Sequence, residues 1–303
     1  MENNSTGSLA WVESPLQLVA AAEWAATRDE PIAVAFRLSG PQMSTTAKEL
    51  LARGARFASC DPYYGIPWGL LRKHRNWAIG DAFSGQFRLA GTVLRPRTLT
   101  LLDDGTMTVA IVDSLLGRRD FTRPHQHEGR IHTTLGGIAR DRMLGLAARE
   151  RLEISTAFAL GDERMTRLAG HGIHVTPQRF GWVKSTARPI KVPGNRVLLG
   201  SAWVVDGRIS ASDYLAWVAE EAREAKVAYL PHRRESADQL ALIAKIPGVR
   251  VFETGLPIEL VLAGAQDPLE IITLPTSAQS TLGHLLDGTG SMIRPRELAH
   301  ESL

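Results

Sequence analysis

Two neighbouring carboxylates, Asp103 and Asp104, close the apolar run at residues 98–102 and are followed by Gly105 and Thr106. At such a strand end one carboxylate can face a cleft while its neighbour faces away or caps the turn. A cleft-facing carboxylate can take the proton of an attacking hydroxyl. Asp-Asp-Gly also suits a plain turn. A second cluster begins where the apolar run at residues 227–230 meets Pro231, His232, Arg233, Arg234, Glu235 and Ser236. Donors and cations between a strand exit and a helix start are placed to hold a phosphate. A protonated His232 there could stabilise or protonate a departing phosphate. A solvated loop with Glu235 supporting the helix start explains the acid but not the concentration of donors.

Two further places follow strand-like runs. Leu274 and Pro275 lead into Thr276, Ser277 and a helical pattern. Free N–H groups and hydroxyls at a helix start make an uncharged anion cradle, and N-capping by Thr276 or Ser277 is equally compatible. Glu259 is a lone acid in an apolar segment after Pro257. It suits either the hydroxyls of a ribose or the first turn of a helix, where the dipole favours it. His125, His127 and His132 lie close in sequence with Glu128 as the single acid and no cysteine nearby, a spacing that makes a poor metal site.

The elements that must position these residues alternate. Strand expectations at residues 9–12, 32–36, 98–102 and 108–113 stand with helices at 15–26 and 45–53. The stretch 122–134, rich in His, Arg and Gly, reads as a long surface loop. Beyond it, strands at 197–200, 227–230, 249–252 and 270–274 alternate with helices at 211–225, 237–246 and 256–263. This is the pattern of α/β layers around mainly parallel sheets. The polar stretch 186–195, with Pro189, Pro193 and Gly194, suits a linker between two Rossmann-like halves, expected at 1–188 and 189–303. No solenoid repeat, G-x-G-x-x-G or Walker A pattern is present, so a ligand is expected at strand C-terminal ends.

A chain of 303 residues, 44% hydrophobic and 22% charged, can bury two such cores. Its net charge of +3 is too small for a dedicated nucleic-acid binder and leaves anionic small molecules or glycans as partners. The single cysteine, Cys60, fits a reducing cytoplasm. The sequence offers no export signal and no apolar span, so the expectation is a soluble protein or one attached peripherally to a membrane face. Arg72, Lys73, His74 and Arg75, between Trp68 and Trp77, are a run that could meet such a face or an acidic polymer; a solvated helix end is the plainer reading.

In order and surroundings, five segments resemble bacterial sialyltransferases of the GT-B fold, in particular the capsule polysialyltransferase-like group and its lipo-oligosaccharide relatives. They are residues 11–18, Asp103-Asp104-Gly105, residues 229–236, residues 256–260 and residues 276–282. Residues 198–214, with Gly200-Ser201 and Asp206-Gly207, look like the segment that opens the family's second domain; residues 110–185 contribute little.

The resemblance implies two Rossmann-like domains facing a central cleft, the acceptor side in the first and the donor side in the second. It implies transfer of sialic acid or a related nonulosonic acid from its CMP ester to a glycan hydroxyl in one inverting displacement. Asp103 would be the general base and His232 would assist the departing phosphate. Thr276 and Ser277 would bind that phosphate and Glu259 the ribose, with Gly200, Ser201 and Arg233 in the donor set. Ser14, Gln17, Asp104 and Gly105 would line the cleft. Two positions depart from the family pattern: its histidine-proline pair is here His232-Arg233, and its serine pair is Thr276-Ser277. A monophosphate leaving group carries little charge, so donors and a helix N-terminus can replace a metal, and no cofactor is expected. The rival expectations are a transferase or epimerase acting on a UDP-sugar, and a non-catalytic nucleotide-sugar-binding protein.

Overall fold

A computed structural model describes residues 7–124 and 126–297. The chain divides into two compact units, Met1–Trp182 and Val183–Leu303. In the first the elements run β1 (Ser8–Val12), α1 (Pro15–Ala26), β2 (Ile32–Arg37), α2 (Pro41–Ala52), β3 (Phe57–Tyr63), α3 (Trp68–Lys73) and β4 (Asn76–Ile79). They continue through α4 (Gly85–Val93), β5 (Thr98–Leu102), α5 (Thr106–Leu115), α6 (Arg130–Ala147), β6 (Leu152–Thr156), α7 (Asp162–Gly170) and β7 (Ile173–Pro177). All seven strands are parallel, in the order β3-β2-β1-β4-β5-β6-β7.

The chain winds outward from β1 to β3, then returns to the other side of β1, which makes β1/β4 the topological switch point. Helices cover both faces of such a sheet, so its inner strands read as continuous apolar runs. Leu9, Ala10, Trp11 and Val12 are accordingly at most 2% exposed. Edge strand β3 is half exposed and accommodates Pro62, which a central strand would not.

Three local expectations are corrected. Residues 108–113, read as a strand, lie in α5. The β-branched run Thr-Val-Ala-Ile-Val fits either period over so few residues, but Gly105 (φ 66°) reverses the chain after β5. Thr108, Ile111, Val112 and Leu115 then form the buried face of a helix. The loop expected through Thr134 ends at α6. Its glycines hid that helix, yet Gly136 is required there, because a Cβ would lie 2.6 Å from the Phe121 carbonyl oxygen. Helix α2 starts at Pro41 rather than near Thr45, since proline at the first turn loses no helical bond.

The division between the units falls inside α8 (Gly181–Ser185). The second unit holds β8 (Arg196–Leu199), α9 (Ala211–Glu224), β9 (Val227–Leu230), α10 (Ala237–Ile243) and β10 (Val249–Val251). Then follow α11 (Ile258–Leu262), β11 (Glu270–Thr273), α12 (Ala278–Leu286) and β12 (Met292–Pro295). Its parallel sheet has the order β10-β9-β8-β11-β12, with the switch at β8/β11. The proline-rich stretch 186–195 packs within this unit, where Ile190 N–H donates to the Gly264 carbonyl at 2.7 Å. Both units are Rossmann-like α/β folds.

Candidate functional site

The first switch point gathers side chains from three strand ends. Ser14 caps α1, its Oγ accepting the Gln17 N–H at 3.3 Å, with Pro15 in the first turn. Gln17 is 2% exposed. Its Oε1 accepts the Glu13 N–H at 2.7 Å and its Nε2 donates to Asp104 Oδ1 at 2.6 Å. Gly80, directly after β4, makes room for this amide: a Cβ there would lie 2.3 Å from Gln17 Oε1. One buried side chain thus ties together the ends of β1, β4 and β5.

The two aspartates have different surroundings. Asp103 is fully buried; its Oδ2 accepts the Ala157 N–H at 2.7 Å and its Oδ1 the Thr108 hydroxyl at 2.9 Å. Burial raises its pKa, against the pull of those donors. Its carboxylate fastens the end of β5 to the segment after β6. The carboxylate expected to take a proton from an incoming hydroxyl has both oxygens engaged here, and neither reaches solvent.

Asp104 is partly exposed. Burial of its carboxyl and the nearby charge of Asp81 push its pKa up to about 8, against the opposing bond from Gln17 and the charge of Arg123. A carboxylate with a pKa near the working pH is a base that can both accept and release a proton. Gly105 is buried and supplies the left-handed turn that separates this pair from α5.

Asp81 was not singled out in the sequence. It accepts the Phe83 N–H at 2.9 Å and pairs with Arg123. That arginine is held in turn by Glu128, whose Oε1 accepts the Arg123 N–H at 2.8 Å while its carboxylate receives a two-pronged bond from the fully buried Arg88, at 2.5 and 2.9 Å. Burial acts to raise the Glu128 pKa, but these bonds outweigh it and hold the carboxyl below its usual range. The acid of the histidine-rich stretch therefore serves an arginine. His127 and His132 are exposed, and His125 lies outside the described residues. Among the described residues no cluster of three or more metal-ligating side chains converges.

In the second unit Gly200 and Ser201 follow β8, and His232 follows β9. Gly200 N–H donates to the Leu230 carbonyl at 2.7 Å. A Cβ on Gly200 would lie 2.2 Å from Glu235 Oε2 and 2.5 Å from the His232 nitrogen, so only glycine permits this approach. Glu235 closes the cluster by accepting the His232 N–H at 2.6 Å and the Tyr229 hydroxyl at 2.5 Å. Tyr229 and Tyr214 share a hydroxyl bond of 2.7 Å, and Tyr214 Oη accepts the Ser201 N–H at 3.1 Å. Burial pushes Glu235 up to about 7, against these two bonds.

His232, expected to act in its protonated form, stands in surroundings that disfavour the charge. Burial, then the charges of Arg233 and Arg234, lower its pKa to about 4. At neutral pH the ring is uncharged, and since Nδ1 accepts the Arg234 N–H at 3.2 Å, its proton sits on Nε2. Arg233 is exposed, whereas Arg234 pairs with Asp206 at 2.6 Å.

Thr276 and Ser277 follow β11, on the far side of this switch point from Gly200. Thr276 is exposed and its Oγ1 accepts the Ala278 N–H at 3.3 Å; Ser277 caps α12 without a side-chain bond. Glu259 is only 5% exposed, and its Oε1 accepts the Thr281 hydroxyl at 3.3 Å, tying α11 to α12. A ribose would reach it only by exchanging that bond. The first unit therefore brings Ser14, Gln17, Asp104 and Gly105 together. The second brings Gly200, Ser201 and His232 together, leaving Glu259 inside.

No protein-family model matches the sequence, and no curated protein matches it. Among solved structures the chain is similar to an α/β-galactoside α-2,3-sialyltransferase from the luminous marine bacterium Photobacterium phosphoreum, with 10% identity, 96% of this chain and 91% of the other covered, and a TM-score of 0.50. A UDP-glucose:anthocyanidin 3-O-glucosyltransferase in complex with UDP follows at 12% identity, with 98% and 82% covered and a TM-score of 0.47. The fold is that of the GT-B glycosyltransferases, two Rossmann-like units with parallel sheets.

Proposed function

We propose that this protein is an inverting glycosyltransferase that moves sialic acid or a related nonulosonic acid from its CMP ester to a glycan hydroxyl. The observation that carries the reading is Asp104: a partly exposed carboxylate at a strand end, bonded by Gln17 and poised near pH 8, among motifs that follow the sialyltransferase order. The GT-B fold supports the same reading.

In this mechanism the acceptor hydroxyl oxygen attacks the anomeric carbon, the bond from that carbon to the phosphate oxygen of CMP breaks with its electron pair, and the configuration inverts. Asp104 takes the hydroxyl proton. Asp103 does not touch substrate; it positions the turn that aims Asp104. His232, as a neutral Nε2–H donor, and the groups around Gly200, Ser201, Thr276 and Ser277 stabilise the charge gathering on the phosphate. Arg233 adds an exposed guanidinium. A monophosphate asks for little more, and no metal step is required.

The test is CMP release from CMP-sialic acid over a panel of glycan acceptors, for the wild type, Asp104→Asn and His232→Ala. A base contributes roughly a hundredfold to ten-thousandfold, so Asp104→Asn should fall by that factor. Equal turnover in all three proteins would remove the assignment, and calorimetry showing UDP bound more tightly than CMP would remove the donor.

A further inference from the structure

A cavity of about 310 Å³ opens at the opposite edge of the first unit's sheet, away from Asp104. It lies between α4 and the C-terminal half of α6, beneath the first residues of β4 and β5. Its floor is apolar, formed by Trp77, Phe87, Leu99, Met143 and Leu146. Its rim is cationic: Arg95, Arg142 and Arg149 line it, against the single acid Asp141. Asp141 is 77% exposed and turned toward Arg140 at 3.8 Å. Arg142 donates to the Gly91 carbonyl across the two helices, whereas Arg95 and Arg149 are exposed and form no ion pair among the described residues.

The surroundings repeat both properties. Ile138 on α6, next in sequence to the cavity-lining Ala139, is 40% exposed. The strand entrances beside the cavity carry exposed arginines in contact: Arg97 N–H donates to the Arg75 carbonyl at 2.6 Å, and Leu99 N–H to the Arg151 carbonyl at 2.9 Å. The basic run at residues 72–75 thus belongs to this edge, and Trp77 turns its ring into the cavity wall while its indole N–H donates to the His74 carbonyl at 2.7 Å.

We propose that this cavity binds the chain of an anionic single-chain amphiphile, with Arg95 and Arg149 meeting its head group. The volume is at the lower end of the roughly 300–1,000 Å³ of small-ligand pockets. An apolar floor rewards an alkyl chain for leaving water, and two unpaired guanidiniums at the mouth select a phosphate or carboxylate head over a neutral one. A free amphiphile and the acyl chain of an anionic membrane lipid share this chemistry.

Calorimetry on the full chain with dodecyl phosphate, below its micelle concentration, tests the proposal against dodecyl maltoside and inorganic phosphate. The expected result is one site for dodecyl phosphate, at least about tenfold tighter than for either control, since each head-group contact to a charge is worth about one decade. Gly145→Trp fills the mouth: Gly145 lines the cavity, and a Cβ there meets nothing within 4 Å, so the fold has room for the change. It should abolish binding with the melting temperature kept. Arg95→Glu with Arg149→Glu alters exposed positions only and should weaken dodecyl phosphate about tenfold or more while sparing dodecyl maltoside. Sedimentation with phosphatidylcholine vesicles, with and without phosphatidylglycerol, separates the two sources. Binding to the anionic vesicles that is lost in Gly145→Trp assigns a membrane lipid, and its absence assigns a free amphiphile. Equal affinity for both detergents, binding of phosphate alone, or undiminished binding by Gly145→Trp would each overturn the proposal.

Discussion

Asp104→Asn separates what the carboxylate does for chemistry from what it costs the fold. In the folded protein its pKa is raised from 3.8 to about 8, first by burial and then by Asp81. A carboxyl raised in this way keeps its proton in the folded protein after the unfolded chain has lost it, so its contribution to stability is fully present below about pH 4. Stability then falls as pH rises, until the folded group also ionises near pH 8. The full shift of about four units, at 1.36 kcal/mol each, sets an upper bound of roughly 5 kcal/mol. About 1–2 kcal/mol of this has accrued by pH 5, roughly one unit above the unfolded value, and the bound is approached only near pH 8. Asparagine keeps an oxygen for Gln17 Nε2 and has nothing to titrate. For a unit of this size 1 kcal/mol moves Tm by roughly 2–4 °C. The variant should therefore melt about 2–8 °C above the wild type at pH 5, with the gap closing toward pH 4 and widening toward pH 8. Scanning calorimetry from pH 4 to pH 9, paired with CMP release, reads both effects. A variant that melts with the wild type at every pH, or that turns over like it, would refute the assignment of Asp104 as a desolvated base.

Other changes have equally definite expectations. Wild-type kcat/KM should rise about tenfold per pH unit below 8 and level off above it, as Asp104 loses its proton; a flat profile from pH 6 to pH 9 contradicts this. Asp103→Ala strands the buried Ala157 N–H and Thr108 hydroxyl, so urea denaturation near pH 4 should show about 1–3 kcal/mol lost, a loss that shrinks as pH rises because the buried carboxyl is itself held above its usual pKa. Gly200→Ala drives a methyl against Glu235 and the His232 nitrogen, and calorimetry should record weaker CMP binding in a protein that still folds. His232 is uncharged above about pH 5, so any change in CMP affinity between pH 6 and pH 8 should survive His232→Gln and vanish in Glu235→Gln, the group poised near 7.

Strands β1, β2 and β5 of the first unit and β8 to β11 of the second were legible because parallel strands buried on both faces leave unbroken apolar runs, as at Leu9 to Val12, and helix starts showed where capping residues mark them, as at Ser14 and Pro15. Strands β3, β4, β6, β7 and β12 did not show: β3, β7 and β12 are sheet edges with broken apolar patterns, and β4 has four residues. Other omissions were set by approach distances. Helix α6 was hidden by Gly136, a residue that disfavours helices and is present because Phe121 and Arg88 press against it. The run at 108–113 is too short to separate the two periods. Gly80 and Asp81 follow a strand of four residues, Asn76–Ile79, too brief to flag what comes after it. Glu235 was visible but read as a helix-start acid, since its bonds to His232 and Tyr229 exist only once β9 and its exit loop have folded.

The division of labour between Asp103 and Asp104 follows from the strand they leave. Successive residues at a strand end point to opposite sides, so one carboxylate must turn inward if the other is to turn toward the sheet edge. The inward one is tolerable only with donors, and it has two, Ala157 N–H and the Thr108 hydroxyl. Those bonds fix the peptide between the pair and so fix where Asp104 begins. Gln17, held by Glu13 and given room by Gly80, fixes where it ends. A base held from both sides reorganises little when a proton arrives, which is what a proton acceptor on a strand end needs and a solvent-facing turn lacks. In the proposed mechanism, the burial that keeps Asp103 from the acceptor is therefore part of what makes its neighbour effective.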